Sequence, residues 1–187
     1  MTGTKAALLI GTRSKDGHSN LALFSSVFHL GADPALIGLV QRPLTDQSHT
    51  YKNMVETGFF TVNQIDVRFA VATHHTSAKF ERDVSEFDAC GFQEEEWTGY
   101  TAPFVKESIA RMGVRYLREI PIEENGTRII LGQVEEIQVN EGLLRDDGNI
   151  DPDVLQPLAV FGLEAYLQTS VLARYAYAKP GVSPTKT

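Results

Sequence analysis

Residues 20–34 read NLALFSSVFHLGADP, an apolar run of strand length that ends at an Asp33-Pro34 turn. The run predicts a β-strand, because apolar and aromatic side chains dominate it and turn-forming residues follow it. Ser25 and Ser26 interrupt the apolar side chains, and a buried hydroxyl without a hydrogen-bond partner costs free energy. Two interpretations are open: neighbouring strands satisfy both hydroxyls, or a polar ligand lies beside the strand.

Segments of strand length recur along the rest of the chain, separated by turns and short helical stretches. Ser48 and Asp66 are predicted to cap two short helices, and Gly58 to end the first of them. Asn125-Gly126 is the clearest hairpin signal. The predicted strands cover residues 5–13, 19–30, 35–41, 59–63, 108–123, 127–139 and 171–178.

This order of elements predicts a mainly β fold, a closed or partly closed antiparallel barrel with two or three short helices. Residues 81–102 are irregular and acidic, and we expect them to form an excursion outside the barrel. No linker divides the chain, so we predict one domain over residues 1–180. Residues 181–187 are predicted to form a mobile tail.

Composition excludes several classes of function. The 187 residues carry a formal net charge of −7, so the chain has no basic face for broad nucleic-acid binding. Cys90 is the only cysteine, and His74-His75 has no neighbouring ligand set, so we expect neither a disulfide nor a zinc site. No apolar run approaches the roughly 18 residues that a membrane span needs. The start of the chain does not read as a signal peptide, and we expect a cytoplasmic protein without membrane partners.

The chain also lacks the motifs of the common nucleotide sites and hydrolases. It contains no GxGxxG, no GxxxxGK[ST] and no GxSxG. The absence of these motifs is compatible with a protein whose cofactor carries out the chemistry, because such a protein supplies mainly binding and electrostatics.

Four segments offer the side chains that a phosphorylated ring cofactor needs. Phe24–Phe28 provides hydroxyls and backbone amides, and Gln41-Arg42-Pro43 provides an arginine that can pair with a phosphate. His49–Asn53 begins a predicted helix, whose free amides favour anions. Thr76–Phe80 combines hydroxyls, a lysine and an aromatic ring. Each segment has a plain alternative: satisfied strand hydroxyls, a surface arginine, simple helix capping, or a polar loop.

Taken together and in order, these segments resemble the flavin reductase-like family, whose fold is the FMN-binding split barrel. The resemblance covers roughly residues 5–180 and implies a six-stranded antiparallel split β-barrel with flanking helices that forms homodimers. It also implies FMN, or sometimes FAD, near the dimer interface. Further segments that resemble the family are Ser85–Asp88, Ala102–Val105, Ile130–Val134, Asp146–Gly148 and Arg174–Ala178.

The resemblance carries site residues over to this chain. The ring would lie beside Phe24–Val27, and the phosphate and ribityl group beside Thr50, Ser77 and Lys79. His29 is a candidate neighbour of the ring or of nicotinamide, and the alternative is a structural histidine near a turn. The implied cofactor-binding residues are Phe24, Ser25, Ser26, Val27, Arg42, Thr50, Asn53, Ser77, Ala78 and Lys79, with no metal site.

The implied activity is an NAD(P)H-dependent flavin reductase, with NADH or NADPH as the donor and a monooxygenase as a possible partner. One alternative is an FMN-binding electron carrier or sensor without turnover. A relative of pyridoxamine phosphate oxidase ranks last, because only Arg111 and Arg115 could serve a second phosphate. Family members often have a lead-in segment before the first strand. If that segment covers the flavin or the partner subunit in relatives, the early start of the first strand here would affect flavin affinity.

Overall fold

The computed structural model describes residues 3–187, and a seven-stranded antiparallel sheet forms the body of the fold. The sheet order is β3-β2-β6-β9-β10-β5-β4. The strands are β1 Thr4–Ala6, β2 Leu8–Arg13, β3 Ser19–Phe24, β4 Val27–Ala32, β5 Ala35–Gln41, β6 Phe59–Gln64, β7 Glu94–Glu95, β8 Phe104–Val105, β9 Ala110–Ile122, β10 Thr127–Val139, β11 Leu158–Phe161 and β12 Ala165–Gln168.

The sheet curls into a barrel because its two edge strands are joined by only two residues. β3 and β4 lie at opposite ends of the sheet order, yet only Ser25 and Ser26 separate them in the chain. The predicted mainly β antiparallel barrel is therefore confirmed, with seven strands in place of six. The single strand predicted over residues 19–30 is wrong, because the chain must leave β2 and join β5 at the serines.

Alternating apolar side chains fill the barrel. Ile10, Leu39, Phe60, Val114 and Ile130 are almost fully buried in one cluster. These five side chains come from β2, β5, β6, β9 and β10, so the cluster connects strands from both ends of the sheet order. Their burial is the main stabilising contribution to the body of the fold.

Short helices cover the barrel. They are α1 His49–Thr57, α2 Ala70–His75, α3 Glu86–Cys90 and α4 Pro152–Leu155, with 3-10 turns at Val67–Phe69 and Glu141–Leu143. Gly58 ends α1 at φ 79°, in the left-handed region that glycine tolerates, and the Asp66 side chain accepts a hydrogen bond from the Arg68 amide. Ser48 precedes α1 as predicted, but its Oγ accepts from the Thr45 amide at 2.9 Å and caps no helical amide.

A second sheet, in the order β1-β11-β12, lies beside the barrel. The predicted strand over residues 5–13 is divided at Ala7, whose amide donates to Leu158 O at 3.0 Å. The closing strand predicted over residues 171–178 is wrong, since β11 and β12 come earlier in the chain. Leu172 and Tyr177 are 99% and 91% exposed, and the segment pairs only through an isolated bridge between Tyr175 and Lys186. Mobility of residues 181–187 stays a prediction.

The excursion over residues 81–102 is anchored more firmly than its acidic composition predicts. Phe87 and Phe92 are buried in a cluster with Leu9 and Leu21, and Trp97 stacks on Phe104 at 4.1 Å between ring centroids. α3 and β7 lie within it. No helix within residues 3–187 is long and apolar enough to cross a membrane.

Candidate functional site

A cleft follows the break between β3 and β4 and has two compartments. We call them the cationic compartment, of about 370 Å³, and the outer compartment, of about 440 Å³. Both volumes fall in the range of small-molecule sites. The two share Leu23, Phe24, Gln41, Arg42 and Ser77.

The cleft brings together residues from all four segments that the sequence singled out. Phe24, Arg42 and Ser77 border both compartments. Ser25 and Ser26 border the outer compartment, whereas Thr50, Ala78 and Lys79 border the cationic one. Segments that are far apart in the chain thus form one continuous surface.

Three of the predicted residues lie elsewhere. Val27 packs against the barrel core, and exposed His29 lies on β4 opposite Ile37. Asn53 lies on the buried face of α1, where its Nδ2 donates to Thr12 Oγ1 at 3.2 Å. It borders a small separate pocket of about 10 Å³ and neither compartment of the cleft.

The two serines at the break differ in their hydrogen bonds. Ser26 Oγ donates to Val40 O at 3.0 Å, and the Val40 amide donates to Ser26 O at 3.2 Å. Ser25 Oγ makes no hydrogen bond to any residue from 3 to 187, and the Ser25 and Ser26 amides donate to no backbone acceptor in that range. A neighbouring strand therefore satisfies the Ser26 hydroxyl, whereas the Ser25 hydroxyl and both amides are free for a ligand.

The cationic compartment is suited to an anion. Arg42 and Lys79 are exposed, and neither forms an ion pair within residues 3–187. α1 begins at the compartment with no side-chain cap, so its first-turn amides and its dipole favour negative charge. Burial, with help from the Arg82 and Lys52 cations, lowers the pKa of His49. The local charge is thus positive although the whole chain is acidic.

Two buried polar contacts hold the wall of this compartment. Asn20 Nδ2 donates to Thr50 Oγ1 at 3.0 Å, which ties β3 to the start of α1. The Leu21 amide donates to Glu86 Oε2 at 2.9 Å, which ties β3 to α3. Glu86 is 6% exposed, and burial raises the pKa of its carboxyl while its backbone hydrogen bonds oppose that shift.

Ser77 is less available than the sequence implied. Its Oγ donates to His74 O at 2.7 Å, and its amide donates to the same oxygen at 3.0 Å. Its hydroxyl would have to turn before it could donate to a phosphate. Arg42, Lys79 and the α1 amides are therefore the stronger anion ligands.

Sequence reasoning missed several residues that border the cleft. Asn20 and Glu86 border the cationic compartment, and Lys5, Gly162 and Leu163 border the outer one. Glu86 lies in the Ser85–Asp88 segment, and the resemblance of that segment to the family was the available signal. Neither Lys5 nor the β11–β12 turn carried a signal in the sequence, because only the second sheet brings these residues to the cleft.

The two arginines considered for a second phosphate are engaged elsewhere. Arg111 Nη2 lies 2.6 Å from Glu95 Oε1, and its guanidinium lies over the Trp97 ring. Arg115 Nε lies 2.5 Å from Glu135 Oε1. Neither arginine borders the cleft, which argues against a second phosphate site of that kind.

These features fit a flavin mononucleotide. The cationic compartment offers unpaired cations and helix amides for one phosphate, and the outer compartment offers free amides beside apolar Leu23, Phe24 and Val160 for a ring. Within residues 3–187, no cluster of three metal-ligating side chains is present.

Comparison with known proteins agrees with this geometry. The sequence model of the flavin reductase like domain matches residues 3–162. An uncharacterized protein of Halalkalibacterium halodurans is 30% identical over 156 residues, which cover 80% of this chain and 74% of the relative.

Solved structures share the fold. A candidate flavin reductase with a split barrel domain from Shewanella frigidimarina is 37% identical, with a TM-score of 0.90 over 95% of this chain and 88% of that one. Nitrilotriacetate monooxygenase component B from Bacillus cereus is 25% identical, with a TM-score of 0.81 over 89% and 85%. Flavoredoxin of Desulfovibrio vulgaris has a TM-score of 0.80 at 20% identity over 97% and 94%, which shows the common fold alone. The protein is a split barrel and belongs to the flavin reductase-like family.

Proposed function

We propose that the protein binds FMN in the cleft and acts as an NAD(P)H-dependent flavin reductase. The observation that carries this proposal is the pairing of unpaired Arg42 and Lys79 with free amides at Ser25 and Ser26 across one cleft. A phosphate and a redox ring need these two kinds of donor, and membership of the flavin reductase-like family supports the same reading.

The residues of the chain bind and orient the cofactor, while bound FMN would supply the two-electron redox chemistry that takes a hydride from NAD(P)H. Arg42 and Lys79 neutralise the phosphate, and the first-turn amides of α1 donate to it. The Ser25 and Ser26 amides donate to the ring and stabilise the negative charge that gathers there on reduction. Leu23 and Phe24 exclude water from the ring face.

We further propose a homodimer in the cytoplasm that passes reduced flavin to a monooxygenase. The similarity to a monooxygenase component B at 25% identity supports the partner. The absence of a second cysteine, and so of an internal disulfide, fits a reducing compartment. FMN is preferred to FAD because the cationic compartment serves a single terminal phosphate.

The test is an absorbance spectrum of the protein after incubation with FMN or FAD and desalting, followed by addition of NADH or NADPH. A retained flavin peak that bleaches with either nucleotide supports the reductase and identifies the donor. A retained peak that does not bleach supports the electron carrier or sensor instead. If no flavin is retained, turnover with excess free FMN decides, and its absence would refute the proposal.

A further inference from the structure

His49, the first residue of α1, lies between two cavities. It borders the cationic compartment and also the small pocket of about 10 Å³, and Asn20 is the other described residue that both cavities share. The Asn20 side chain carries no charge and already donates to Thr50 Oγ1 at 3.0 Å. His49 is therefore the group between the two cavities that can change its charge.

The small pocket contains a buried acceptor without a partner. Asn53 is 2% exposed, its Nδ2 donates to Thr12 Oγ1, and its Oδ1 has no hydrogen-bond partner within residues 3–187. A buried oxygen of this kind costs free energy, so a donor that reaches it stabilises the protein. The pocket has room for about one water molecule, through which an N–H of His49 can reach the Asn53 oxygen.

The surroundings of His49 disfavour its cationic form in the free protein. Burial lowers the pKa of His49, the Arg82 and Lys52 cations lower it further, and Glu81 opposes them. Arg82 is itself paired with Asp16 at 3.6 Å. The other titratable groups that border the two cavities are His18 in the small pocket and Arg42, Lys79 and Glu86 in the cationic compartment. An imidazole in this setting is neutral at pH 7 until an anion arrives.

We propose that the His49 imidazole takes up a proton from solvent when a dianionic phosphate enters the cationic compartment, and then acts as a third cation beside Arg42 and Lys79. This inference rests on the proposed function, which places the FMN phosphate in that compartment. The phosphate brings nearly two negative charges next to the ring and so favours the imidazolium. Imidazolium has two N–H donors where neutral imidazole has one, so it can serve the phosphate and the Asn53 oxygen together.

The test is isothermal titration calorimetry of the wild-type protein with FMN at pH 7, in two buffers of different ionisation enthalpy. The difference in heat between the buffers gives the number of protons taken up per FMN. We expect a fractional uptake with FMN and none with riboflavin, which has the same ring but no phosphate. Free FMN contributes little itself, because a phosphate monoester has its second pKa at about 6 and is mostly dianionic at pH 7.

Variants assign the proton to a residue. His49→Gln should abolish the uptake because glutamine does not titrate, and His49→Asn takes its place if that variant does not fold. Glu86→Gln and His18→Gln, at the other groups that border the cavities and can gain a proton, should keep the uptake. His29→Gln is the matched control, since His29 is exposed on β4 and borders neither cavity.

The pH dependence of FMN affinity gives a second readout that a loss of packing would not reproduce. By fluorescence quenching, the affinity of the wild type should rise about three- to fivefold from about pH 8 to about pH 6.5, because binding takes up a proton. In His49→Gln it should stay level or fall over the same range, since the phosphate then loses charge with no compensating gain by the protein.

The outcomes separate this inference from the proposed function. FMN binding without proton uptake, an equal uptake with riboflavin, or an uptake that survives in His49→Gln overturns the role of His49 while the flavin site stands. Loss of the uptake in Glu86→Gln or His18→Gln, with His49→Gln unchanged, assigns the proton elsewhere and also overturns it. A wild-type protein that does not bind FMN refutes the proposed function, and this inference with it.

Discussion

Removal of the two unpaired cations of the cationic compartment is the most direct test of the flavin site. Arg42 and Lys79 border the compartment from the end of β5 and from the loop after α2, and no carboxylate within residues 3–187 pairs with either. We expect Arg42→Ala and Lys79→Ala each to weaken FMN binding. Lys106→Ala is the control, since Lys106 is exposed and its Nζ donates to Gln93 Oε1 away from the cleft.

The magnitude follows from the exposure of both side chains. Two unit charges 4 Å apart interact by about 1 kcal/mol in water and about 4 kcal/mol in a medium of effective dielectric constant 20. Because both cations are exposed, the lower end applies, and the nearly double charge of the phosphate raises it to about 1.5 kcal/mol. Each single variant should therefore lose about tenfold in affinity. The double variant should lose less than the product of the two factors if both cations bind one phosphate.

The assay is a titration of FMN by fluorescence quenching at low and at high salt. The wild-type affinity should fall as salt rises, and the double variant should respond less, because the screened contacts are gone. If both single variants bind FMN within twofold of the wild type, the phosphate does not bind in this compartment. The reasoning would then be wrong, whatever the enzymatic activity of the protein.

Glu86→Ala should lower the free energy of unfolding by about 1–3 kcal/mol, because the buried Leu21 amide loses its acceptor, whereas exposed Asp88→Ala on the same helix should change it little. A raised folded-state pKa means that the native state holds the Glu86 proton more tightly than the unfolded state does. This contribution is thus fully present below the unfolded pKa and is lost as pH rises through the folded one. Urea titrations should therefore show that Glu86→Gln gains stability relative to the wild type as pH rises from 4 to 7, and a constant difference would contradict this. Gly11→Ala should destabilise by about 1–3 kcal/mol in the same assay, because its Cβ would lie 2.3 Å from the Pro103 carbonyl oxygen. A wild-type midpoint would show that the backbone at Pro103 shifts to accommodate the added methyl group. Light scattering should give twice the chain mass of 20.7 kDa, and a monomer would contradict the proposed homodimer.

Agreement between sequence and structure is best where the pattern is local. The hairpin at Asn125-Gly126 and the long strands β9 and β10 around it lie close to their predicted positions. Gly58 ends α1, and Asp66 caps the turn that follows β6. Side-chain periodicity and turn chemistry act over a few residues, so a single sequence contains enough information to place these elements.

Agreement is poorest where long-range pairing decides the outcome. Residues 19–30 look like one strand, but β2 and β5 pair with its two halves and divide it at the serines. Residues 171–178 have strand composition but pair only through an isolated bridge between Tyr175 and Lys186, whereas β11 pairs with both β1 and β12. Strand propensity is a weak guide because the partner supplies most of the stabilisation.

The candidate site shows the same contrast between local sequence and long-range structure. Residue types alone show which chemical groups are present: two adjacent serines in an apolar run, Arg42 after a strand, and a hydroxyl and lysine segment at Thr76–Phe80. The fold determines that Val40 satisfies the Ser26 hydroxyl, that the Ser25 hydroxyl has no partner within residues 3–187, and that Asn53 and His29 lie outside the cleft. Only the second sheet brings Lys5 to the same cleft. This difference arises because residue type fixes what a group can bind, whereas barrel closure fixes which groups share one space.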